Sequence, residues 1–279
     1  MMREKKRDLL EQAIQVLAEY DHPLTLRQLY YRLVAAHVLE NAENQYKRLS
    51  ALLVEARESG FVSPDALEDR TRAPHKPSAW CGLDGYLETV RDAYRRDKWD
   101  SQPVHLEVWV EKDALGAMIE RVTGPWDVYS YACRGYNSFS ALWEAAGRFE
   151  EIGKPVVVLY LGDFDPSGVD MTRDVRDRLS RYTSAQITVR RLALTKEQII
   201  EHDLPPMPAK RSDTRAPAFI EEHGEISAVE LDALPPDVLT ALVAEAIRAN
   251  CDLSEFERQR QIEADERAQW HEHLEELAV

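Results

Sequence analysis

Three acidic residues, far apart in the chain and each placed where an apolar run stops, are the strongest chemical signal in this sequence. Asp163 and Asp165 stand one residue apart in LGDFDPSGVD, directly after KPVVVLY, and Glu111 follows VHLEVWV. Two carboxylates so close repel each other and lose hydration as they approach apolar surroundings, so they need a cation or hydrogen-bond donors. An all-oxygen set suits Mg²⁺ or Mn²⁺, which bind through one or two carboxylates and keep positions for water and phosphate oxygens. Asp-x-Asp also caps helices, and that reading stays open beside the metal one.

These acids need a scaffold that brings residues 111 and 163 together. From about residue 103 the pattern alternates VHLEVWV, KDALGAMIERV, DVYSYAC, SFSALWEAAGRFEEI, KPVVVLYL, a helix from about Pro166 to Tyr182, and AQITVRRLAL. Near-continuous apolar strands separated by amphipathic helices predict an α/β fold, a parallel sheet covered on both faces. If the strands ending at Glu111 and Asp163 are neighbours, the three carboxylates meet at the carboxyl edge, where ligands of such sheets gather.

Upstream, EKKRDLLEQAIQVLAEY, LRQLYYRLVAAHVL with Thr25 as N-cap, and NQYKRLSALLVEARESG predict three short helices. FVSPDALEDRTR then reads as a short extended or wing-like segment, so residues 1–75 suggest a winged helix-turn-helix domain. APHKPSAWCG is the linker candidate, and a helix in LDGYLETVRDAYRRDKW completes a connecting stretch over 76–102. The sheet domain spans 103–279, with an acidic helical C-terminal extension from about residue 200.

The totals bound the function. A chain of 279 residues with 44% hydrophobic and 30% charged residues is long enough for a sizeable core. It has no apolar run long enough for a bilayer and no signal-peptide core behind MMREKKRDLLEQ, so a cytoplasmic protein without membrane association is expected. Cys81, Cys133 and Cys251 are odd in number and widely separated, which predicts three reduced, mostly buried thiols and no zinc site. The net charge of −15 is uneven: residues 200–279 hold 7 Lys+Arg against 19 Asp+Glu, and the rest hold 28 against 31. Net charge therefore does not exclude a basic groove in the first two thirds of the chain.

WVEKDAL, CRGYNS and GDFDPSG, in that order on successive strands, resemble the Toprim domain of topoisomerases, primases and related nucleases. The set is most similar to the A subunit of topoisomerase VI and its relative, the meiotic double-strand-break protein. TLRQLYYRL resembles the winged-helix segment of that family, and VELDALPP its late Glu-x-x-Ala-Leu segment. The resemblance implies a Mg²⁺- or Mn²⁺-dependent DNA-breaking enzyme that works as a homodimer, the tyrosine of one subunit acting with the metal site of the other. By position, Tyr31 matches the tyrosine that attacks DNA and Arg27 the arginine one helical turn before it. Glu111, Asp163 and Asp165 match the metal-binding acids, Glu111 also being the candidate general acid/base.

Cations that could meet DNA are Arg70, Arg72 and Lys76 after the wing, Lys112 beside Glu111, and Lys210, Arg211 and Arg215 in the proline-rich loop. Each also reads as a solvated surface charge. Tyr30 and Tyr31 are adjacent on a helix, so one can pack while the other faces solvent or DNA. Tyrosine transesterification and metal-dependent hydrolysis both stay open. The rival readings are a catalytically silent DNA-binding scaffold and a Toprim phosphohydrolase or primase-like enzyme acting on nucleotides or RNA. Only about 24 residues precede the Tyr31 segment, little room for the arm that binds an ATPase partner, and no Gly-x-x-x-x-Gly-Lys-[Ser/Thr] loop is present. A haloacid-dehalogenase-like phosphatase expects Thr or Val soon after its Asp-x-Asp, where this chain has Pro-Ser-Gly.

Overall fold

A computed structural model describes residues 4–67, 77–133, 135, 137–209, 212–224 and 226–277. In chain order the elements are α1 (Glu4–Ala18), α2 (Leu26–Ala35), α3 (Glu43–Glu58), α4 (Leu83–Ala93), β1 (His105–Val110), α5 (Gly116–Thr123), β2 (Tyr129–Ala132), α6 (Phe139–Ile152), β3 (Val156–Leu161) and α7 (Pro166–Tyr182). They continue with β4 (Ile187–Ala193), α8 (Lys196–Glu201), β5 (Met207–Pro208), α9 (Ala216–His223), β6 (Ile226–Ala228), α10 (Pro236–Ala249) and α11 (Leu253–Leu277).

The main sheet has the order β2-β1-β3-β4, and every pairing in it is parallel. β1 and β3 are neighbours, with Val110 opposite Leu161, so the residues that follow them emerge side by side. Chain connections leave β1 and β3 on opposite sides of that junction, which makes it the topological switch point of a doubly wound sheet.

Side chains alternate across each strand and fill two cores. Leu106, Val108, Val110, Leu159 and Leu161 pack on one face with Met118 and Ile119 of α5 and Leu239 and Val243 of α10. Trp109, Val158 and Tyr160 pack on the other with Leu142 and Phe149 of α6 and Val175 and Leu179 of α7. The first core runs on without a break into Leu9 and Leu10 of α1, Leu29 and Leu33 of α2, and Leu49, Leu52 and Leu53 of α3. The three-helix bundle and the sheet therefore share apolar surface.

Several expectations change in detail. The helix expected over 83–99 stops at Ala93, and β5 and β6 form a small antiparallel sheet that the apolar pattern does not announce. Of the expected wing, residues 61–67 hold a 3-10 turn at Pro64–Ala66 and a single parallel bridge between Leu24 and Leu67; residues 68–72 lie outside the described residues. All three thiols are free, but only Cys133 is buried: Cys251 is half-buried, and Cys81 is exposed like residues 77–80 and Gly82 around it. Among the described residues no helix is long and apolar enough to cross a membrane.

Candidate active site

The carboxyl edge of the β1–β3 junction is built from backbone inward. Glu111 follows β1, and its Oε2 accepts from the Asp163 N–H at 3.0 Å. Gly162 makes that approach possible: a Cβ there would stand 2.7 Å from Glu111 Oε2 and 2.9 Å from the Tyr160 ring. Beneath the turn, the Arg191 guanidinium donates to the carbonyls of Gly162 (2.9 Å), Asp163 and Gly168 (2.8 Å), fixing the loop without neutralising its acids directly. Asp165 caps α7, its Oδ1 accepting from the Gly168 N–H at 2.7 Å, with Pro166 at the first helical position. The capping alternative is thus realised for Asp165.

Phe164 turns inward and is buried, and its backbone pairs with Val229 in both directions, at 2.8 and 2.9 Å. That bridge delivers residues 230–232 to the acids. Leu231 N–H donates to Asp163 Oδ1 at 2.7 Å, and the Lys112 ammonium sits among Asp163 (2.9 Å), Glu230 (2.9 Å) and Asp232 (2.7 Å). Arg27 pairs with the same Glu230 oxygen from the α2 side and approaches Asp232 at 3.9 Å. Asp232 is 1% exposed, and its Oδ1 has no partner among the described residues.

The bundle is tied down at this edge. Thr25 and Gln28 form a reciprocal capping box at the start of α2, and Gln28 Nε2 also reaches Met118 Sδ of α5 at 3.3 Å. Arg32 donates to the Ala233 carbonyl. With α2 so placed, Tyr31 falls within the electrostatic field of Glu230, Arg27, Lys112 and Asp232.

Burial and charge set the protonation of the cluster. Burial pushes Glu111 up to about 7, and the nearby charges of Asp163 and Asp165 add to it. Burial also raises Asp163, with Lys112 opposing. On Lys112 burial disfavours the charge, yet Asp232, Asp163 and Glu230 together overcome it and hold the ammonium above the ordinary lysine range. Glu230 is lowered because Lys112 and Arg27 outweigh its own burial. Tyr31 is raised, first by burial and then by Glu230, so its phenol is held protonated.

Of the sequence-derived residues, the fold brings together Arg27, Tyr31, Glu111, Lys112, Asp163 and Asp165. Tyr30 and Tyr31 are both buried, at 4% and 3% exposure, instead of one facing outward. Lys112 is enclosed by carboxylates, and Arg215 is engaged by Asp170 and Asp213. Arg70, Arg72, Lys76, Lys210 and Arg211 lie outside the described residues. Glu230 and Asp232 were missed as site residues, although Glu-x-Asp ahead of Ala-Leu-Pro-Pro was visible; only the Phe164–Val229 bridge shows why they matter.

The donor chemistry suits a hard divalent cation, since every candidate ligand is a carboxylate oxygen and Glu111 is raised by burial, with the charges of Asp163 and Asp165 adding to it. Among the described residues no group of three or more His, Cys, Asp or Glu side chains is arranged so that it could hold a metal ion. An ion that binds through one or two carboxylates and retains its waters tolerates such a site. Comparison with family models and with curated proteins finds no match for this chain.

Proposed function

We propose that this chain is a Mg²⁺- or Mn²⁺-dependent DNA strand-breaking enzyme of the topoisomerase VI A-like class, a winged helix joined to a Toprim domain. One observation carries the reading: helix α2 sets Arg27 and Tyr31 against the same charge network that reaches Asp163, through Glu230 and Lys112. This network supports reading the candidate nucleophile Tyr31, at least 80 residues earlier in the chain, and the three candidate metal acids as parts of one site.

Glu111, Asp163 and Asp165 are the residues that would hold the ion. When bound, a divalent cation there would offset phosphate charge and ease deprotonation of the attacking group. Arg27 and Lys112 are the cations placed to meet a phosphate, each once released from part of its carboxylate shell. Tyr31 is the candidate for attack on phosphorus, forming a phosphotyrosyl bond as the sugar oxygen leaves. Its burial and raised pKa favour a second route, in which water attacks and Tyr31 only packs.

Supercoiled plasmid incubated with the protein and Mg²⁺ or Mn²⁺ is expected to become nicked or linear, and the Glu111→Gln, Asp163→Asn double variant to leave it intact. Equal behaviour of the two proteins rejects the proposal. Tyr31→Phe separates the routes: loss of cleavage together with loss of protein-linked DNA ends supports transesterification, whereas full-rate cleavage supports hydrolysis. The resemblance also implies a homodimer in which the tyrosine of one subunit serves the acids of the other. Cleavage restored by mixing Tyr31→Phe with Glu111→Gln supports that arrangement, and a mixture as inactive as either variant alone supports action within one chain.

A further inference from the structure

A cavity of about 230 Å³ opens beside Tyr31, lined by Arg27, Tyr30, Tyr46, Asn41, Glu43 and Glu230 among others. Its aromatic wall is preassembled. The Tyr30 ring meets Tyr31 edge-on at 5.2 Å and Tyr46 at 5.3 Å, and the Tyr30 hydroxyl accepts from the Ala42 N–H at 2.8 Å, which locks that ring to the loop before α3. A larger cavity of about 380 Å³ beside His105, at the opposite edge of the sheet, is walled mainly by charged side chains.

We infer that the Tyr30–Tyr31–Tyr46 cavity receives a single unpaired nucleobase, extruded from the strand that the charge network engages. The inference rests on the strand-breaking proposal and names the part of the substrate that this edge would grip. Size is the first argument: a void of roughly 150 Å³ is enough to take a benzene-sized ring, so a cavity of about 230 Å³ has room for one planar heterocycle. Charge is the second. A cationic guest would face Arg27 and an anionic one Glu43 and Glu230, so a neutral, planar, polarisable ring with a hydrogen-bonding edge is the guest that meets no like charge. The half-buried Tyr46 ring can stack on any base, Tyr30 and Tyr31 back it from beneath, and the exposed Asn41 amide offers its N–H donors, and the oxygen that also accepts from the Tyr30 hydroxyl, to a base edge. Position is the third. Arg27 lines the cavity and shares Glu230 with Lys112, so a nucleotide whose base enters brings its own phosphates toward the two cations of the site.

The test uses the full chain and oligonucleotides carrying 2-aminopurine at one position at a time, single-stranded and duplex, with adenosine and cytidine titrated separately by NMR. One labelled position is expected to change fluorescence when protein binds. Tyr46→Leu and Asn41→Leu should weaken that response by between about 5- and 100-fold, and Tyr46→Phe, which keeps the ring, should retain it. Asn41 is exposed, so its replacement leaves the core intact if Tyr46→Leu fails to fold. Nucleoside binding that is lost in both Leu variants, in a protein that neither binds nor cuts DNA, upholds the cavity and rejects the strand-breaking proposal. DNA cleavage with a flat 2-aminopurine response and no nucleoside binding overturns the cavity alone. Tetramethylammonium binding in place of nucleosides overturns it in favour of a cation cage.

Discussion

Lys112 neutralises an acid that cannot reach water. Asp232 is 1% exposed and shares the ammonium with Glu230 and Asp163, so removing the cation strands a buried carboxylate. Lys112→Met is expected to lose about 3–5 kcal/mol in urea denaturation, and a Lys112→Met, Asp232→Leu double variant to recover a large part of it. Additive losses would show that the two residues act independently. Gly168 is a second fixed point, since a Cβ there would stand 2.2 Å from the Asp163 carbonyl oxygen, a backbone atom that cannot swing aside. Gly168→Ala should cost about 1–3 kcal/mol or more. Gly162→Ala presses on Glu111 Oε2 at 2.7 Å and on the fully buried Tyr160 ring at 2.9 Å, so it too should lower the denaturation midpoint, by about 1–3 kcal/mol. The acids themselves were legible in the sequence because each follows a strand. Lys112 and Arg27 were also named from the sequence, but their pairing with Glu230 and Asp232 was not, because an isolated two-residue bridge leaves no periodic trace.

At the scale of elements, β1 carries a charge through the middle of the sheet. Glu107 is fully buried, and Arg148 of α6 grips both its oxygens at 2.9 and 3.1 Å, with Trp109 Nε1 at 2.7 Å and His105 at 3.0 Å. Burial alone would raise its pKa, but the hydrogen bonds from His105, Arg148 and Trp109 outweigh it and the net shift is downward. A depressed carboxylate pKa stabilises the fold fully above the ordinary glutamate value of about 4.3 and loses that contribution as pH falls through the lower folded value. Wild type should therefore lose stability on acidification below about pH 4, and Glu107→Gln should lose less over the same interval, as read from denaturation midpoints between pH 7 and 3. An identical slope would remove Glu107 from the account. The sequence announced β1 as a near-continuous apolar run, and the glutamate inside HLEVWV was the unread hint of a partner on a neighbouring helix.

The whole molecule joins two regions that the sequence separates by a proline-rich stretch. Periodicity identified the three N-terminal helices and the alternating strands and helices after residue 103, since each has its own repeat. How they dock was hidden, because Leu29 and Leu33 look alike whether they close a private core or a shared one. Here they belong to one continuous core with Leu106, Val108 and Val110. Tryptophan fluorescence, reporting on Trp99 and Trp109 near the sheet, and far-UV circular dichroism, dominated by the helices, should therefore trace a single urea transition. Two separated midpoints would mean that bundle and sheet unfold as independent units. The shared carboxylate of Glu230 extends this unity from packing to chemistry. Displacing α2 would withdraw one positive neighbour from Glu230, and Lys112 would then be drawn more strongly to Glu230, leaving Asp163 and Asp232 less compensated. A cation taken up by these acids, as proposed, would therefore be coupled to the posture of the bundle, each shifting the other's equilibrium by the same coupling free energy.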